Sequence, residues 1–396
     1  MTGNASTIDP AASDVAGYLI ALSLLPGVGP ATVLACHREG GVEAAWKLVV
    51  AGRPRRVAAL GPVLARLDAA AVALLVGAAR ALDPDHELRR HRADGRHVLV
   101  RGQPGYPARL AEDPAPPAVL FATGCLDALT RPTVAIVGTR NATRPGRDLA
   151  AQLGAELAAA GVAVVSGLAL GIDGAAHQGA LRAGEAVPGR PVGVIASGLD
   201  IAYPRRHVEL HAQVARSGLL VSETPLGQRP VAWRFPARNR IIAGLADAVV
   251  VVESRSAGGS MLTVGEALYR GVPVLAVPGH PAAPAAAGTN DLLFDGAAIV
   301  RSVADVLDAI GISPAQAIRP AVGEASARLP PDQRSVLAAI GDTPAALAEI
   351  VARSGLPLDV ASEALLRLEA DQRVVRTAGW YERTNPPSPV RVGGSR

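Results

Sequence analysis

Glycine, hydroxyl and arginine residues recur together at several places in this chain, each beyond a short apolar run. Gly138, Thr139 and Arg140 follow "VAIV", and Ser166, Gly167 and Gly171 lie in "SGLALGIDGAAH". Tyr203, Arg205 and Arg206 lie in "SGLDIAYPRR", Arg238, Asn239 and Arg240 in "FPARNRIIAGL", and Gly258, Gly259 and Ser260 in "ESRSAGGSMLT". A glycine turn leading a strand into a helix brings backbone N–H groups to the helix N-terminus, which carries about half a positive charge and suits an anion. Cups of this kind after three different runs, with arginines beside them, point to a site for more than one phosphate.

The residues also say what the phosphate compound is not. Dinucleotide binding needs GxGxxG after the first strand and an acidic residue ending the second. Here the first loop reads GTRNATRPG and the second strand ends in Ser166. A Walker A loop needs a lysine before its hydroxyl residue, and Lys47 is the only lysine of the chain. Asp173 and His177, four apart on one helix face, suit either acid–base work or a carboxylate favoured in a first helical turn with a histidine beside it; the second account is simpler. The carboxylates follow no metal-ligand spacing and no Ser-His-Asp or Cys-His arrangement is recognisable, so no catalytic residue, metal or cofactor is expected. Aromatic residues make up only 3% of the chain. Tyr203, Trp233 and Phe235 nonetheless fall in or beside these loops, where Trp233 and Phe235 either stack a base or simply pack the sheet.

Parallel strands must carry these loops. Short β-branched runs near 133–137, 162–166, 192–196, 218–222, 247–252, 272–276 and 297–300 alternate with helical patterns, which predicts an α/β protein with a doubly wound parallel sheet. "DAVVVVE" reads as a central strand covered on both faces. Ligands of such sheets bind beyond the carboxyl ends of the strands, where all five loops emerge.

Around this sheet the chain is helical. Residues 14–83 carry helical patterns, with "LPGVGP" at 25–30 as a hairpin between the first two helices. Such a hairpin either touches a DNA phosphate through its amides or serves the helix pair alone. Residues 311–330 read as a Pro-, Ala- and Ser-rich linker. Beyond it come three helical patterns and a strand-like pair in "RVVRTAGWYER", a winged-helix layout. Its recognition-helix position sets Glu363, Glu369 and Asp371 against Arg367 and Arg373, a balance that favours protein docking over phosphate attraction.

Composition sets the remaining bounds. The 396 residues are 49% hydrophobic, enough for two or three packed domains, and the net charge of +4 permits a polyanionic partner without requiring one. Nearly all positive charge is arginine, and with the alanine and proline excess this reads as the bias of a G+C-rich genome rather than as phosphate recognition. Cys36 and Cys125 are isolated, as expected in a reducing cytoplasm. The start carries Asp9 and Asp14 and lacks a signal-peptide pattern. No apolar run approaches the roughly 20 residues of a membrane span, so no membrane partner is expected.

Taken in order, "GYPARL…PPAVLFATG", "VAIVGTRNATRPG", "VVSGLALGIDGAAHQGAL", "SGLDIAYPRR", "FPARNRIIAGL", "VVVVESRSAGGSMLT" and "GTNDLLFDGA" resemble the DNA-processing protein A family (DprA/Smf). The resemblance implies an extended Rossmann-like domain at 91–310 between an N-terminal helical module (helix-hairpin-helix or SAM-like) at 1–90 and a winged helix at 331–383, with a disordered tail at 384–396. It implies a homodimer that binds single-stranded DNA and loads the RecA recombinase during natural transformation or recombination. The implied DNA-phosphate positions are Gly138, Thr139, Arg140, Ser166, Gly167, Gly171, Tyr203, Arg205, Arg238, Asn239, Gly259 and Ser260. Thr139 stands where serine is common, Leu170 where arginine is, and Gly265 where alanine is. Glu253, Thr263 and Glu266 raise an enzymatic alternative: phosphoribohydrolases of the lysine-decarboxylase-like type carry a GGxGTxxE loop, to which "GSMLTVGE" at 259–266 is similar at Gly259, Thr263 and Glu266 but not at Leu262.

Overall fold

Continuous β-branched segments cannot leave either face in water, and the valine run at 248–252 obeys this rule. β7 (Ala248–Val251) is wholly buried between β3 (Thr133–Val137) and β8 (Val274–Ala276), parallel to both. The computed structural model of the chain describes residues 11–184, 187–312, 329–340, 344–371, 373–377 and 379–383. Most of the expected linker (313–328) and the expected tail (384–396) lie outside the described residues.

All seven expected strands are present. With β4 (Ala163–Ser166), β5 (Pro191–Ile195), β6 (Leu219–Ser222) and β9 (Ala298–Ile299) they form a parallel series in the order β6-β5-β4-β3-β7-β8-β9. Two strands of this sheet were not foreseen. β1 (His97–Val100) and β2 (Val119–Gly124) extend the sheet beyond β6, and both pairings are antiparallel. Their apolar runs are too short for periodicity to assign, and Gly- and Pro-rich turns separate them. The strand order reverses between β3 and β7, which places the crevice of a doubly wound sheet beside the β3 loop.

The chain divides into two compact units, 1–318 and 319–396. Within the first, the helices Ala11–Ser23, Pro30–Arg38, Val42–Val50, Ala69–Ala81 and Pro84–Arg92 share one hydrophobic core with β1, β2 and the loops after β4 to β6. His91 fastens that junction. Its Nδ1 hydrogen-bonds the Glu87 carbonyl at 2.7 Å, its Nε2 accepts the Leu226 N–H at 2.9 Å, and its ring lies 4.9 Å from that of Phe121. In the second unit, helices Pro331–Ile340, Leu347–Ser354 and Leu358–Ala370 pack with β10 (Ala345–Ala346), β11 (Val374–Thr377) and β12 (Trp380–Arg383) around Ile340, Leu365, Leu368 and Tyr381. Three helices and a β-hairpin make the winged helix that the sequence predicts.

Two buried histidines make stability depend on pH. Burial holds His177 at about 4, its Nε2 being 3.2 Å from the Val192 carbonyl, and burial also lowers His91. The unfolded chain protonates both below about pH 6.5, whereas the native state takes up the His177 proton only near pH 4. Their contribution to stability is therefore fully present above about pH 6.5 and is lost as the pH falls toward 4. Urea unfolding of His177→Leu should show a flatter fall across that range than the unsubstituted protein, by up to about 1.4 kcal/mol per pH unit. Identical pH profiles would contradict this account.

Candidate nucleic-acid interface

Helix Arg234–Leu245 begins after β6 and turns Arg238 inward. Arg238 is only 7% exposed; one guanidinium nitrogen donates to the Val194 carbonyl at the end of β5. The guanidinium lies flat against Gly167, where an added Cβ would come within 2.6 Å of its central carbon. Glycine is thus required beyond β4 by close approach of the arginine. Asp173, in the first turn of helix Ile172–Arg182, accepts the Gly167 N–H at 3.1 Å and opposes the buried positive charge. Burial pushes the Asp173 carboxyl up, while Arg238, Gly167 and Ser166 pull it back. Burial likewise lowers Arg238 to about 10, with Asp173 opposing and the like charge of Arg140 adding to the fall. Arg238 therefore stays charged at neutral pH. Its Nε finds no hydrogen-bond partner among the described residues.

Arg238 forms the floor of an open cleft that Arg140, Gly167, Leu170, Tyr203 and Phe235 also line. The exposed Arg140 guanidinium stands 5.3 Å from the centre of the Phe235 ring, and Phe235 in turn leans on Tyr203 with ring centres 5.6 Å apart. Tyr203 is 46% exposed, so the two rings offer an accessible π surface beside two guanidinium groups. Arg205 and Arg206 follow on an exposed turn that His207 ties to the Leu168 carbonyl at 3.0 Å. Among the described residues Arg140, Arg205 and Arg206 form no ion pair. Asn239 is half-buried beside Arg238.

Not every glycine cup and arginine of this edge stands open. Arg240 is not free charge, because Glu223 accepts two hydrogen bonds from it at 2.6 Å and both side chains are largely buried. Burial raises the Glu223 carboxyl and Arg240 opposes that rise. Two of the three cups are filled from within. Ser166 donates its hydroxyl to the Ile136 carbonyl at 2.6 Å and the Gly167 N–H is taken by Asp173, while Gly171 adopts a positive φ of 80° as the N-cap of the following helix. In the first loop the Thr139 N–H donates to the Glu253 carbonyl at 2.7 Å, and an added Cβ on Gly138 would come within 2.8 Å of that same oxygen. The third cup differs. Gly259 is exposed there; helix Gly259–Tyr269, like helix Ile172–Arg182, follows a glycine N-cap with no side-chain cap, and the Ser260 hydroxyl bonds inward to Ser254 at 2.8 Å.

The two candidate stacking residues are separated. Phe235 joins Tyr203, whereas Trp233 faces a different cleft, lined also by Gly29, Pro30 and Thr224, with the Arg234 guanidinium 5.3 Å from its ring. Val28, Gly29 and Pro30 of the 25–30 hairpin line that cleft, whereas Pro26 and Gly27 are exposed. Of the residues that favour an enzyme, Thr263 is buried and Glu266 pairs with Arg270, which also holds Asp113 at 2.6 Å. His177 bonds a strand carbonyl, and Asp173 serves Gly167 and Arg238, so their spacing reflects packing. Sequence reasoning missed that Glu253, a residue of the enzymatic alternative, caps helix Arg144–Ala159 through Thr143, and it missed the exposed Arg255 beside the third cup. A glutamate closing a valine strand carries no local sign of a partner 110 residues away. Among the described residues no acidic, histidine or cysteine cluster suits a metal ion, and no helix is long and apolar enough to cross a membrane.

Known proteins resemble this chain over most of its length. A family model described as DNA recombination-mediator protein A matches residues 97–311, and one for the DprA winged helix domain matches residues 320–379. Protein Smf of Synechocystis is 34% identical over 388 residues, covering 89% of this chain and 94% of that protein. The DNA processing protein DprA of Bacillus subtilis is 39% identical over 222 residues, covering 56% of this chain and 73% of its own length. The X-ray structure of DNA processing protein A from Streptococcus pneumoniae superposes with a TM-score of 0.61 at 31% identity, covering 74% of this chain and 97% of the other. The chain is thus a member of the DprA/Smf family of DNA-processing proteins.

Proposed function

We propose that this protein binds single-stranded DNA along the carboxyl edge of its parallel sheet, as a homodimer that delivers the strand to the RecA recombinase in transformation or recombination. The observation that carries the strand reading is the cleft over Arg238. There an unpaired exposed arginine, a buried charged arginine and an aromatic pair share one opening. Phosphates meet Arg140, Arg205 and the uncapped start of helix Gly259–Tyr269 at Gly259 and Ser260, while a base stacks on Phe235 and Tyr203. Gly138, Thr139, Ser166, Gly167 and Gly171 shape the loops that hold these groups, and Arg238 and Asn239 supply the floor. Family membership supports the recombinase and dimer parts of the reading. A binding rather than hydrolytic role fits the commitment of Glu253, Glu266 and Asp173 to internal partners.

Fluorescence anisotropy of a labelled oligo-dT across a salt series tests the strand reading, with a duplex of equal length for comparison. Arg140→Ala should weaken binding evenly across sequences and lower the slope of log K against log salt by about one unit. A strong preference for one sequence, or an unchanged slope, would count against it. Phe235→Ala should weaken binding by about 1–3 kcal/mol, as loss of one stacked base does, and Trp233→Ala should cost clearly less; the reverse order would move the strand to the other cleft. Removing residues 325–396 should leave oligo-dT affinity nearly intact. The exposed face of the winged unit's helix Leu358–Ala370 carries Leu358, Leu366 and a Glu363–Arg367 pair instead of unpaired positive charge. A large loss of affinity on truncation would overturn that assignment.

A further inference from the structure

The first strand-to-helix turn of a doubly wound sheet is where a nucleotide's phosphates dock, because the helix start offers unpaired N–H groups and a favourable dipole. In this chain that position belongs to β3 and helix Arg144–Ala159, beside the point where strand order reverses. It is already filled. Glu253, just beyond β7, accepts the Thr143 N–H at 2.9 Å with one carboxylate oxygen and the Thr143 hydroxyl with the other. The Thr143 oxygen in turn accepts the Gly146 N–H at 3.1 Å. Gly146 leaves the space the carboxylate needs, since an added Cβ would come within 2.6 Å of its second oxygen.

We propose that Glu253 is a specificity-determining residue: its carboxylate occupies the place of a phosphate and excludes free nucleotides and other polyphosphates from this helix start. An incoming polyphosphate finds the Thr143 donors taken and a fixed negative charge in contact distance. The sheet's usual mononucleotide position is closed, and anion binding is left to the neighbouring cleft over Arg238. This exclusion rests on the Glu253–Thr143 contact and not on the strand reading.

Isothermal titration of the full chain with inorganic pyrophosphate, at constant ionic strength, tests it. Glu253→Ser and Glu253→Gln are each compared with the unsubstituted protein, with and without Arg140→Ala, so that anion held in the strand cleft is counted apart. Glu253→Ser should bind pyrophosphate at least tenfold more tightly in both backgrounds. Glu253→Gln, which keeps an acceptor for Thr143 but loses the charge, should gain less. Adding Thr143→Val to the serine variant should abolish the gain. Equal affinity in the unsubstituted protein and in whichever variants fold would overturn the proposal, as would a gain that survives Thr143→Val. Failure of oligo-dT binding, read separately, would overturn the strand reading and leave this result standing.

Discussion

A guanidinium enclosed by protein has to be met by a carboxylate and by acceptors, because an isolated buried charge costs several kcal/mol. Arg238 imposes that demand at the centre of the sheet's carboxyl edge, and its neighbours answer it. The Val194 carbonyl accepts a hydrogen bond, Asp173 lies close enough to oppose the charge, and Gly167 gives up a side chain so that the planar group fits. The loop after β4, the end of β5 and the helix after β6 meet at this one side chain. Because Asp173 is committed to Arg238 and Gly167, the helix that bears it keeps its orientation, and the cleft above has a rigid, positively charged floor.

The chain then divides its arginines between structure and surface. Arg240 and Arg270 each find a carboxylate, as buried cations must. Arg140, Arg205, Arg206 and Arg255 remain exposed along one edge. A modest net charge of +4 is thus compatible with a locally positive margin, since internal pairs cancel and the unpaired residues do not. Carboxylates are handled in the same way. Glu253 takes up donors at the start of helix Arg144–Ala159 and Asp173 takes the Gly167 N–H ahead of helix Ile172–Arg182, whereas helix Gly259–Tyr269 begins at an exposed Gly259 with no side-chain cap.

The sequence by itself determined the elements and the chemistry they carry. β-Branched runs a few residues long, separated by helical patterns, admit few arrangements other than a parallel sheet with covered faces, so all seven parallel strands, the edge bearing the glycine and arginine loops, and the winged helix were legible. The antiparallel β1 and β2 were not, since runs of four and six residues between turns carry no period that distinguishes strand from helix. Tertiary structure alone decided which of the candidate groups are available. Arg140 and Arg240 look alike along the chain, yet one stands over Phe235 and the other is held by Glu223. Phe235 and Trp233 are two residues apart and face different clefts. The Thr143–Glu253 contact spans 110 residues. Residue type and spacing report local propensity and periodicity; whether a charge is free or paired depends on what folding brings within about 3 Å of it.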